Sequence, residues 1–202
     1  MRDRTLLIIG LFSIGASLVI GVAGLVAGSP GGRGGDIGID RAIQGAQNVA
    51  ASYPGGGLVV DEVIEFSHNY YASIREKDSG VGAFEVLIER ATGNVTREPG
   101  PDMMWNAKYS TMGGTMMGRS VVVPSGSMTV TGEEARAIAQ RWLDSNRPHS
   151  TAKPPDAFYG YYTVDFESSG QVAGMLSVNG YTGQVWFHSW HGSFIQLREL
   201  GT

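Results

Sequence analysis

The chain has 202 residues, with 15 Lys and Arg against 19 Asp and Glu, a formal net charge of −4, and 42% hydrophobic but only 17% charged residues. That apolar share excludes wholesale disorder, and an acidic balance without basic clusters excludes a nucleic-acid footprint, which needs Lys and Arg gathered on one face. There is no Cys, so disulfides, thiol catalysis, cysteine-held iron–sulfur clusters and Cys-rich zinc sites are excluded as well.

From Thr5 to Gly28 no residue is charged. A helix of that length spans about 36 Å, enough for a hydrocarbon core of about 30 Å. A cleaved signal peptide has a shorter apolar region of about 7–15 residues, so residues 1–28 read as an uncleaved transmembrane anchor. Arg2 and Arg4 precede it, and the positive-inside bias then places the C-terminal domain outside the cell membrane as part of a single-pass protein. Ser13, Ser17, Gly21, Gly24 and Gly28 recur at spacings of three and four. They share one helix face, which lets a second transmembrane helix approach closely. The predicted partners are the membrane, through residues 5–28, and another membrane or envelope protein or a second copy, through the small-residue face.

Residues 29–35 are a Gly-rich tether. Ile39, Ile43, Ala46, Val49, Ala50 and Tyr53 follow a helical period, with Asp36 or Asp40 to cap its start and Pro54-Gly55 to end it. Leu58 to Phe66 and Tyr70 to Lys77 read as extended. Phe84, Val86 and Ile88 alternate with Glu85 and Glu89, the pattern of a half-buried strand, and Thr92-Gly93-Asn94 turns into Val95. The order then repeats. Thr131 to Glu134 fits a capping box, and Ala135, Ile138, Ala139, Trp142 and Leu143 form a helix stripe. Phe158 to Phe166 and Val172 to Val178 alternate as strands, and Thr182-Gly183-Gln184 turns into Val185. An offset of 90 superimposes Thr92-Gly93-Asn94-Val95 on Thr182-Gly183-Gln184-Val185 and keeps the buried parity of the strands before them. The expected fold is α+β: two tandem modules, 36–98 and 131–202, each one helix packed on a small antiparallel β-sheet, joined by a linker over 99–130 behind the N-terminal transmembrane helix.

A helix, then strands, then a hairpin ending in Thr-Gly before a last strand resembles the PepSY (peptidase-propeptide) family. Val178-Asn179-Gly180-Tyr181-Thr182-Gly183-Gln184-Val185 carries the pattern well, and Ile88 to Val95 carries it less fully. The resemblance covers about 36–98 and 131–190. It implies secreted or membrane-anchored, non-catalytic modules that inhibit or chaperone peptidases or act in regulation at the cell envelope, and it brings no catalytic residues.

The linker is chemically unusual, with Met103, Met104, Met112, Met116 and Met117 within fifteen positions. Thioethers are soft ligands, so this cluster is a candidate Cu(I) site and copper the one candidate cofactor. The competing reading is packing: Met103, Met104 and Trp105 fill a groove between the modules, and Val121 to Val123 form an extra edge strand. His188 and His191 sit at the end of the last predicted strand. Positions i and i+3 of a strand face opposite ways, so shared metal ligation would need a turn, and the pair reads as exposed or capping. His68 and His149 stand alone, and Glu85, Glu89, Glu98 and Asp102 read as a solvated acidic set. HExxH, GxSxG and phosphate-loop patterns are absent. The functional expectation is a non-catalytic, membrane-anchored module that binds or regulates another envelope protein, such as a peptidase. The alternatives are an accessory scaffold subunit of a membrane enzyme complex and a Met-rich Cu(I)-binding protein.

Overall fold

The computed structural model describes residues 35–110 and 126–201, and all of them fall in one unit. The predicted anchor, its small-residue face, Met112, Met116, Met117 and the strand expected at Val121 to Val123 lie outside the described residues. Among the described residues, no helix is long and apolar enough to cross a membrane.

Helix α1 (Ile39–Ser52) buries Ala42, Ala46 and Ala50, four residues apart, so its backbone can sit close to the sheet. Its N-cap is Gly38 with no side-chain cap; Asp36 instead accepts the Gly38 amide and the Tyr70 hydroxyl. Strands β1 (Leu58–Phe66), β2 (Asn69–Glu76), β3 (Gly82–Glu89) and β4 (Val95–Arg97) follow as an antiparallel meander. A short helix α2 (Pro101–Met104) opens the linker. Helix α3 (Gly132–Asn146) starts with the expected capping box between Thr131 and Glu134 and buries Ala135, Ala139 and Leu143. Strands β5 (Ser150–Ala152), β6 (Asp156–Phe158), β7 (Tyr161–Ser168), β8 (Gln171–Asn179), β9 (Val185–Phe187) and β10 (Phe194–Glu199) complete the chain.

The internal repeat is visible in the backbone. Gly93 donates to Glu89 O and Glu89 to Asn94 O; ninety residues on, Gly183 donates to Asn179 O and Asn179 to Gln184 O, each at 2.8 or 2.9 Å. Gly93 and Gly183 have φ of 78° and 71°, the left-handed conformation these turns require. Strands β4 and β9 are offset by 90 as well.

The expectation of two separate helix-on-sheet modules is overturned. All ten strands belong to one mixed sheet in the order β10-β1-β2-β3-β6-β7-β8-β9, with β4 on β3 and β5 on β7. Two joints fuse the halves. Strand β10 returns from the second half to pair antiparallel with β1, and β6 meets β3 in parallel at Gly82 and Phe158. Glycine is needed there, because a Cβ on residue 82 would lie 2.5 Å from the Phe158 ring. Helix α1 covers Tyr70, Ala72, Ile74, Phe84, Val86 and Ile88 on one half, and α3 covers Tyr162, Val164, Phe166, Leu176 and Val178 on the other. The opposite faces of the half-sheets bury each other. Ile64, Phe66 and Tyr71 of the first half pack there with Met175 of the second, and each such side chain contributes on the order of 1.5–3 kcal/mol by area.

Candidate functional site

Strand parity puts Glu85 on the face of β3 away from α1, where an isolated module would leave it in water. Here the second half covers that face, and Glu85 is fully buried. Its carboxylate gathers three hydroxyls: Tyr71 at 2.6 Å and Thr163 at 2.7 Å donate to Oε1, and Tyr161 at 2.8 Å donates to Oε2. Tyr71 and Tyr161 are again ninety residues apart. Asp102, from α2, accepts from the Glu85 amide and from Tyr161 through Oδ1 and from Arg97 Nε, at 2.6 Å, through Oδ2. Asn106 donates to Ala83 O and lies fully buried beside them. Burial, reinforced by the charges of Glu98 and Asp102, pushes Glu85 well above the ordinary carboxylate range. Burial also raises Asp102, despite its Arg97 partner.

The layer continues into a second cluster. Glu98, just after β4, donates its amide to Glu85 O at 3.0 Å; His188, just after β9, donates its amide to Met175 O at 3.1 Å. The two residues therefore hold the same position in the two repeats. Beyond β9 the chain turns at Ser189 and Trp190, bringing His191 back toward His188. Glu98 Oε1 lies 3.4 Å from His188 Nδ1 and 3.1 Å from His191 Nε2, and it accepts the Trp190 indole N–H at 3.1 Å. The far nitrogens are held too, His188 Nε2 by Ser177 Oγ at 2.9 Å and His191 Nδ1 by Asn69 Oδ1 at 3.0 Å. Phe66 stacks on the His191 ring and Trp190 on the His188 ring. Relative exposure is 0% for Glu98, 3% for His188 and 1% for His191. Burial lowers the His191 pKa below its ordinary value. Burial alone would raise Glu98, but the imidazoles beside it outweigh that and hold it below the carboxylate range.

Both readings of these residues from sequence are corrected. The histidines are neither exposed nor at opposed positions, since the turn after β9 supplies the bend that shared ligation requires. Of the acidic set, Glu85, Glu98 and Asp102 are fully buried and only Glu89 faces solvent. The missed signal was the offset of 90 itself, which aligns Glu98 with His188. Of the linker residues, Met103 and Trp105 are half-buried and Met104 is 44% exposed. The Trp105 ring meets Trp186 edge-on at 6.0 Å.

Two surface features complete the inventory. A cleft of about 500 Å³ is lined by Asp61, Glu62, Asp156, Asp165, Glu167 and Glu199, among others. Burial, with the neighbouring carboxylates, raises Glu62 to about 9, Asp165 to about 7 and Asp156 to about 6. At the rim of the sheet, β10 is paired only with β1 among the described residues, and Ile195 on it is 49% exposed.

No family model matches the chain, and no curated protein matches it. Among solved structures it is similar to the Bacillus megaterium YpeB C-terminal domain, at 12% identity and a TM-score of 0.27. That similarity covers 75% of this chain and 62% of the other, so the chain spans less than two thirds of that structure.

Proposed function

We propose that this chain is a PepSY-like, non-catalytic binding module, anchored by residues 5–28 with its folded part outside the membrane. It would capture an extended segment of another envelope protein, such as a peptidase. The observation that carries this reading is the edge of β10, six residues long and, among the described residues, paired only with β1. Such an edge offers backbone N–H and C=O groups to an added strand, and side chains such as Ile195 select what binds. The buried cluster supports the non-catalytic part, because Glu98, His188 and His191 are sealed from any substrate in bulk water.

The test is recovery of the full-length protein from mildly solubilised membranes, beside an Ile195→Lys variant that charges the edge. A co-purifying chain held by the native protein and lost from the variant, with thermal unfolding unchanged, supports the reading. Recovery of the native protein alone counts against it.

A further inference from the structure

The geometry points to a divalent transition-metal site formed by Glu98, His188 and His191, bridging the two halves of the sheet. This inference is independent of strand capture at β10.

Proton placement carries the first part of the argument. Asn69 Nδ2 donates to Trp190 O at 3.0 Å, which fixes the amide so that its oxygen faces His191 Nδ1. An amide oxygen only accepts, so Nδ1 bears the ring proton and Nε2 is left with a lone pair. His188 is oriented from its other side: Thr163 donates to Glu85, and Ser177 Oγ lies 2.9 Å from His188 Nε2, which turns Nδ1 toward Glu98. One oxygen of Glu98 thus has both ring nitrogens close to it, at 3.1 and 3.4 Å. Neither nitrogen makes a hydrogen bond, and Glu98 Oε2, also buried, makes none. Two unpartnered ring nitrogens and a half-satisfied carboxylate crowded in a dry interior are costly as they stand, and a cation held by the nitrogens and the carboxylate relieves that cost.

Spacing and chemistry carry the second part. Ligands about 2.0–2.1 Å from a tetrahedral ion stand about 3.3 Å apart. The Glu98-to-histidine separations bracket that value, and all three ligand atoms lie within 4.8 Å of one another. Two imidazoles and a carboxylate suit zinc and its neighbours. Calcium and magnesium prefer oxygen cages, and Cu(I) prefers soft sulfur. Asn69 and Ser177 act as the outer partners that fix imidazole orientation at such sites. Glu98 comes from the first half and both histidines from the second, so binding is coupled to the docking of the halves.

The experiment uses the full-length protein, stripped by chelator and titrated with Zn²⁺ and with Co²⁺. The expected result is one ion per chain, a strong visible Co²⁺ absorption of tetrahedral type, and a thermal midpoint that rises with Zn²⁺ and falls back on chelation. His188→Gln and His191→Gln should each weaken binding at least 100-fold, whereas His68→Gln and His149→Asn should bind as the native chain does. Should the ligand variants fail to fold, the Co²⁺ spectrum of the native protein decides, since a pale octahedral spectrum overturns the site. It is equally overturned by a folded, stripped protein that takes up no ion, or by folded ligand variants that bind normally.

Discussion

Replacing Tyr161 by Phe isolates the contribution of the polar layer between the half-sheets. The ring is fully buried and stacks on Phe158 at 4.9 Å, and Phe preserves both its volume and that contact. Only the hydroxyl is lost, which donates to Glu85 Oε2 at 2.8 Å and approaches Asp102 Oδ1 at 3.2 Å. Leaving a buried acceptor short of one donor costs about 1–3 kcal/mol. Tyr161→Phe should therefore cost about 2 kcal/mol, and Tyr71→Phe, which strips the 2.6 Å bond to Oε1, should cost a similar amount. Urea unfolding followed by tryptophan fluorescence reads both. A loss below about 0.5 kcal/mol for either variant would refute the reasoning.

Three further outcomes are expected. Because the pKa of Glu62 is raised from 4.5 to about 9, the folded protein holds a proton there that the unfolded chain releases. The stability this contributes is full below about pH 4.5 and is lost as pH rises toward 9. Glu62→Gln should flatten that decline and stabilise the protein at pH 8.5 by about 1–2 kcal/mol, discounted for water in the cleft, as measured by denaturation at pH 5.5 and 8.5. Gly82→Val drives a side chain into the Phe158 ring and should cost about 1–3 kcal/mol, with amide-exchange protection lost first at β6. Thr131→Ala removes the capping box of α3 and should cost about 1 kcal/mol by thermal unfolding.

Local structure was legible in the sequence because it depends on local signals. Apolar spacing marked α1 and α3, Thr131 and Glu134 announced a capping box, and the Thr-Gly turns appeared where the offset of 90 put them. Strand β10 was missed because Phe194 to Glu199 mixes charged and apolar residues without clean alternation, and its partner β1 lies some 130 positions earlier, where no local pattern points. The β3–β6 joint turned two expected sheets into one, and the β1–β10 pairing tied the end of the second half back to the first. The site went unread for the same reason. Alternation says which residues leave the helix-covered face but not whether water or another sheet meets them, so Glu85 and Glu98 looked solvated. His188 and His191 were separated by strand parity, which ends where β9 ends. The Met cluster drew attention by composition, yet among the described residues the linker holds to the sheet through Asp102 and Asn106.

The equivalence of Glu98 and His188 bears on what a single module could do alone. Two identical modules meeting through these positions would bring together either two carboxylates, which repel in a dry interior, or two imidazoles without a counter-charge. Tyr71 and Tyr161 could serve such a symmetric pair unchanged, but the acid and the bases could not. Carrying both modules on one chain lets the two copies of a position differ, with a carboxylate on one side and an imidazole on the other. A homodimer of the first half would lack this unlike pairing, whatever else of the sheet it rebuilt.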